Sequence, residues 1–115
     1  MAQASPTPTS EIAAAADLSS IDVGTVLHAL SDPVRLEIVR QLDACCDASG
    51  ELTCGELELP VTKSTGSHHL KTLFEAGVIA EREQGTRKHL KLRQAELNRR
   101  FPGLIDAVLS AANAR

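Results

Sequence analysis

The 115-residue chain predicts a mostly α-helical fold with one small β-hairpin, five main helices and two strands, on three observations. Apolar residues recur at helical spacing in separate stretches, the period changes to two between positions 78 and 93, and Pro, Gly and capping residues mark the boundaries. The length allows one small core. Aromatics are 2% of the chain, Phe74 and Phe101 only, which argues against an aromatic-lined pocket or a base-stacking platform. Three cysteines are too few, and odd in number, for a disulfide framework and suggest a reducing compartment. No stretch approaches the roughly 20 apolar residues of a membrane span, and no basic region precedes an apolar one at the N-terminus. The chain reads as soluble and cytoplasmic, with no membrane partner.

Residues 1–20 are rich in Ala, Ser, Thr and Pro and read as a disordered or partly helical arm, with Ser10 placed to cap a short helix over 11–18. Residues 21–115 form the domain. Val23, Val26, Leu27 and Leu30 follow the i, i+3, i+4, i+7 rule and predict a first helix over 21–30. Asp32 followed by Pro33 opens a second helix to about 42, with Val34, Ile38 and Leu42 on one face. Thr53 with Glu56 makes a capping box for a short third helix over 54–59, and Leu59-Pro60-Val61 is a turn. The next helix is capped by Thr62 or Ser64, carries Leu70, Leu73 and Phe74, and stops at Gly77. Two helices joined by a tight turn suggest helix-turn-helix. Segments 78–83 and 87–93 flank Gln84-Gly85-Thr86, and Leu90 and Leu92 alternate with His89, Lys91 and Arg93, as in a hairpin. In the last helix, opened by Pro102, residues Phe101, Leu104, Ile105, Val108, Leu109 and Ala112 form a continuous apolar stripe that needs a partner surface.

The net charge of −3 alone argues against a nucleic-acid binder, but its distribution reverses that. Between 62 and 93, seven basic residues (Lys63, Lys71, Arg82, Arg87, Lys88, Lys91, Arg93) face three acidic ones (Glu75, Glu81, Glu83). The rest of the chain is acidic, as expected when one face meets phosphate. An ordinary solvated face is the alternative.

The order of elements, with the segments Leu27-His28-Ala29-Leu30-Ser31-Asp32-Pro33-Val34-Arg35-Leu36 and Ser64-Thr65-Gly66-Ser67-His68-His69-Leu70-Lys71-Thr72-Leu73-Phe74-Glu75-Ala76-Gly77, resembles the ArsR family of winged helix-turn-helix transcriptional regulators. The resemblance covers roughly residues 21–112. It implies a homodimer joined through the first and last helices, a recognition helix in the major groove of double-stranded DNA, a hairpin wing along the backbone, and control of transcription, usually as a repressor and often by a bound metal. The dimer residues so implied are Val23, Val26, Leu27, Leu30, Phe101, Leu104, Ile105, Val108 and Leu109.

On this alignment the recognition helix presents Lys63, Ser64, Thr65, Ser67 and His68 at its N-terminal end, where short polar side chains and amides reach bases and phosphates, with Lys71 one turn on. His69 reads as a satisfied core histidine. Gly66 stands where the family often has a larger apolar residue and allows close packing, at roughly 1 kcal/mol of helix propensity against Ala. Arg82, Arg87 and Lys88 flank the wing turn as phosphate contacts, and Gly85 supplies positive φ.

Metal-sensing members carry paired cysteines on the third helix, in the form Glu-Leu-Cys-Val-Cys-Asp-Leu. The matching stretch Glu51-Leu52-Thr53-Cys54-Gly55-Glu56-Leu57 has neither in its place, and the last helix lacks the histidines of the other familiar site. Two effector readings remain open. His28 on the first helix, paired across the interface, suits a nickel or zinc ion, against the plainer reading of an exposed helix histidine. Cys54, at the first position of the expected third helix, suits a dipole-stabilised thiolate that bridges to Cys45 or Cys46, against a structural cysteine. No nucleophile, base and orienting acid come together, so the chain is not read as an enzyme. The competing function is a winged-helix protein–protein interaction module without DNA, suggested by the acidic total and by Glu81 and Glu83.

Overall fold

The computed structural model describes residues 11–45 and 50–114. Helices α1 (Val23–Leu30) and α2 (Pro33–Asp43) are separated by a break that Asp32 governs. Its carboxylate accepts from the amides of Val34 at 2.8 Å and Arg35 at 3.1 Å, two of the donors that a helix start leaves unpaired. Those amides, the Arg35 one foremost, hold the Asp32 pKa below its usual value. Strand β2 (Glu51–Thr53), helix α3 (Lys63–Glu75), strands β3 (Ile79–Gln84) and β4 (Arg87–Leu92), and helices α4 (Gln94–Arg100) and α5 (Leu104–Asn113) follow. Upstream lies strand β1 (Glu11–Ala14).

The antiparallel sheet runs β1-β3-β4-β2. Its hairpin pairs Gln84 with Arg87, so the turn is Gly85-Thr86, and Gly85 adopts φ +62° as a tight hairpin requires. Leu90 and Leu92 of β4 point into the core. There α2 packs against α1, α3, α5 and β4 and buries Ile38, Val39 and Leu42 among Val26, Leu30, Leu73, Leu97 and Ile105.

Several expectations change. Residues 54–59 are not a helix: only Cys54–Glu56 turn, as a 3-10 segment, and the chain is extended by Leu57. Gly55 weakens the helix, and Pro60 disfavours helical geometry at Leu59. The expected reciprocal cap nonetheless forms, with the Glu56 carboxylate accepting from the Thr53 amide at 2.8 Å. The fifth helix is instead α4, absent from the sequence reading. Residues 11–14, inside the stretch read as a short helix, are the edge strand β1; Ser10 and Cys46 lie outside the described residues.

Four of the residues that the resemblance implies at a dimer interface belong to the protomer's own core: Val26, Leu30, Ile105 and Leu109 are buried. An apolar stripe wide enough to satisfy i, i+3, i+4 spans two neighbouring directions, and here the inner flank faces the protomer. The outer flank of α1 shows Val23 and Leu27 exposed at 45% and 46%, while Phe101, Leu104 and Val108 are partly covered.

Candidate nucleic-acid interface

Helix α3 has two faces. Leu70 and Leu73 are buried, and Gly66 packs beneath the extended segment after the 3-10 turn. A Cβ on Gly66 would meet Leu59 Cδ1 at 3.7 Å and Val61 Cγ2 at 4.0 Å, ordinary contact distances, so the site admits Ala. On the other face Lys63, Ser64, Thr65, Ser67, His68 and Lys71 are all exposed. The helix begins at Thr62, whose Oγ1 accepts from the Thr65 amide at 3.2 Å and donates to Thr65 Oγ1 at 3.0 Å. It ends in a Schellman turn: the Val78 amide reaches the Leu73 carbonyl at 3.0 Å, the Gly77 amide reaches that of Phe74 at 3.0 Å, and Gly77 takes φ +80°.

Residues outside the exposed face set where it stands. Gln41 of α2 pairs with both backbone groups of Glu58, donating to its carbonyl at 2.8 Å and accepting from its amide at 3.1 Å, and thereby fixes the turn that leads into α3. Glu37 holds Gln41 at 2.8 Å and Arg40 at 2.7 Å, and hydrogen bonds from Arg40 and Gln41 bring its carboxyl down to about 2. Arg35 is buried and donates to the Ala29 carbonyl at 2.7 Å and the His28 carbonyl at 3.3 Å. Its Nη1 lies 3.3 Å from His69 Nδ1; a guanidinium only donates, so this contact uses the imidazole tautomer protonated at Nε2. His69 Nδ1 is also 3.8 Å from Asp32. It is thus a positioning residue between α2 and α3, in keeping with its inward placement. Sequence reasoning passed over Arg35, Glu37 and Gln41, because single polar residues on a helix carry no periodic signal.

In the wing, Arg87 is exposed beside the turn and Lys88 Nζ lies 3.6 Å from Glu81. Arg82 departs from the phosphate role expected of it. Its guanidinium grips Glu51 of β2 at 2.6 Å and 3.2 Å and donates to Gln84 at 3.0 Å. A fork held on a carboxylate across the sheet fastens the wing to β2. The hydrogen bond from Arg82 is the main reason the Glu51 carboxyl titrates below its ordinary value, and His89, 3.6 Å away, adds to it when charged. Arg93, counted among the basic residues, is turned inward, with Nη1 on the Ala16 carbonyl at 2.7 Å.

Cys54 is surface-accessible, yet burial beside its neighbours pushes its thiol pKa up, opposite to the dipole-activated thiolate expected. A single 3-10 turn supplies no macrodipole to lower it. The thiol lines a groove of about 350 Å³ with Leu57, Leu59, Val61 and Leu70. Cys45 is at the other end of β2, its Sγ 3.3 Å from the Glu51 carbonyl. His28 is exposed on α1, and among the described residues no three His, Cys, Asp or Glu gather as a metal site. No described helix is long and apolar enough to cross a membrane.

A helix-turn-helix domain family model matches residues 30–82, the span from the end of α1 into the wing. An uncharacterised HTH-type transcriptional regulator of Bacillus subtilis is 36% identical over 85 residues, which are 72% of this chain and 82% of that protein. An arsenical resistance operon repressor of Staphylococcus xylosus is 35% identical over 98 residues, 84% of this chain and 85% of that protein. A second arsenical resistance operon repressor, from Bacillus subtilis, is 37% identical over 71 residues, 61% and 65% of the two chains. With an exposed polar helix beside a hairpin wing, these similarities show that the chain belongs to the ArsR family of winged helix-turn-helix regulators and is a DNA-binding transcriptional regulator.

Proposed function

We propose that the protein is a homodimeric repressor that lays the N-terminal half of α3 in the major groove. The observation that carries this reading is the face of α3 itself, on which Lys63, Ser64, Thr65, Ser67, His68 and Lys71 are all exposed while Leu70 and Leu73 anchor the helix from behind. Lys63 and His68 read bases, and Arg87 and Lys88 bind phosphate. Arg82 and Glu51 hold the wing. The repressor role follows the names of two relatives. Val23 and Leu27, apolar and exposed on α1, supply the dimer contact together with the outer flank of α5.

Arsenical sensing is not carried over to this chain, whose stretch 51–57 holds the single thiol Cys54. For control by an effector, His28 from two protomers is the site on which nickel or zinc is to be tried, and Cys54 the thiol to be oxidised. The test is fluorescence anisotropy of reduced, chelator-treated protein against a duplex of its own upstream region and a scrambled duplex, with nickel, zinc and oxidant then added. Tight binding to the native duplex alone supports the specific repressor, and an addition that releases the DNA names the effector. Equal weak binding to both duplexes and to other genomic fragments overturns the sequence-specific reading.

A further inference from the structure

We infer that strand β1 is a brace that sets the wing for DNA, an inference that rests on the wing-to-phosphate reading above. Strand β2 pairs with β4 only from His89 to Lys91, so beyond it the wing tip would be a two-stranded ribbon, marginally stable alone, with β3 as its open edge. Here β1 occupies that edge, antiparallel, with Glu11 opposite Gln84 and Ala14 opposite Glu81. Beyond the strand the chain is tied down at successive points. Arg93, at the root of β4, donates from Nη1 to the Ala16 carbonyl at 2.7 Å and to the Gly77 carbonyl at 3.4 Å. Arg100 donates to the carbonyls of Leu18 at 3.2 Å and Ile21 at 3.3 Å. Leu18 is buried over Gly77, where an added Cβ would come within 2.5 Å of its Cδ2. Since Gly77 ends α3, one guanidinium joins the N-terminal segment, the end of the DNA-facing helix and the base of the wing.

The hairpin determines which amides do the bracing. In a two-residue hairpin the flanking pair, Gln84 and Arg87, is hydrogen-bonded; by alternation Arg82 and Ala80 also face β4, and Glu81 and Glu83 turn their backbone groups toward β1. On β1 the partners of Glu81 and Glu83 are Ala14 and Ile12, whereas the amide of Ala13 points away from β3. Proline at 14 therefore removes a ladder bond, and proline at 13 does not. The Ala14 side chain is exposed, so the change at 14 leaves no cavity. A wing already ordered before it meets DNA loses less conformational freedom on binding.

The experiment compares full-length Ala14→Pro and Ala13→Pro with the unaltered protein, by DNA-binding anisotropy on one duplex at fixed salt and by amide exchange of the free protein. Ala14→Pro is expected to bind roughly tenfold more weakly and to lose protection at the Glu81 and Glu83 amides. Ala13→Pro is expected to stay within about twofold and to keep that protection. In an Arg87→Ala background the Ala14→Pro loss should shrink, because the brace acts through the wing. Unchanged binding by Ala14→Pro, equal losses from both prolines, or unprotected Glu81 and Glu83 amides in the unaltered protein would each overturn the brace. Should Arg87→Ala alone leave binding unchanged, the wing-to-phosphate reading fails instead, and the exchange data still decide whether β1 braces the hairpin.

Discussion

Arg82, Arg87 and Arg93 show at residue scale what a count of charges leaves open. All three raise the basic total of residues 62–93, but Arg87 alone stands exposed at the wing turn; Arg82 is forked on Glu51, and Arg93 on the Ala16 carbonyl. Sequence spacing placed all three near the wing and could not tell them apart, because their partners are 31 and 77 residues away. Arg87→Ala should weaken specific and non-specific duplex binding alike, whereas Lys63→Ala or His68→Ala should cost the specific duplex about 1–3 kcal/mol more, read as a ratio of dissociation constants. Glu51→Gln should cost about 1–2 kcal/mol of stability at neutral pH in urea unfolding. Because the folded-state pKa of Glu51 is depressed, its stabilisation is complete above the unfolded value of about 4.3 and is lost as pH falls through the lower folded value, so the two proteins should converge in acid. The glycines separate equally sharply. Gly66→Ala should stabilise by up to about 1 kcal/mol, while Gly77→Ala, strained at φ +80° and pressed on Leu18, should destabilise by about 1–3 kcal/mol.

At the scale of elements, legibility followed period and punctuation. Helix α2 was legible because Asp32-Pro33 states its start, α3 because Gly77 states its end, and the hairpin because Leu90 and Leu92 alternate with His89, Lys91 and Arg93 after the turn at Gly85. Helix α4 was not, since one buried leucine, Leu97, makes no stripe; its only signals are good helix formers, with Glu96 in the first turn and Arg99 and Arg100 in the last. The 3-10 turn Cys54–Glu56 misled in the other direction: its cap is real, but Pro60 arrives before a helix can propagate. The stripe of α1 was legible as a stripe, not as two flanks. With the proposed dimer, that division predicts that Leu27→Glu yields a monomer in sedimentation with its fold intact, whereas Val26→Glu, buried at 1% exposure, unfolds it.

For the whole molecule, the basic segment 62–93 and the acidic remainder of the chain share one core. On the proposed reading, DNA meets the exposed face of α3 and the wing, and α1 offers its exposed Val23 and Leu27 to a second copy. In a dimer the two recognition helices should fall about one helical turn, near 34 Å, apart, so footprinting should show two protected half-sites at that spacing. The commitment of Arg82 to Glu51 and of Arg93 to the Ala16 carbonyl also limits how many ions the DNA should shed. Lys63, Lys71, Arg87, Lys88 and Lys91 are then the cations of segment 62–93 left to replace condensed counterions on the phosphates. At about 0.9 ion per phosphate neutralised, the logarithm of affinity should fall against the logarithm of salt by no more than about 4.5 per protomer from this segment, and a steeper line would mean that cations outside it also touch the duplex.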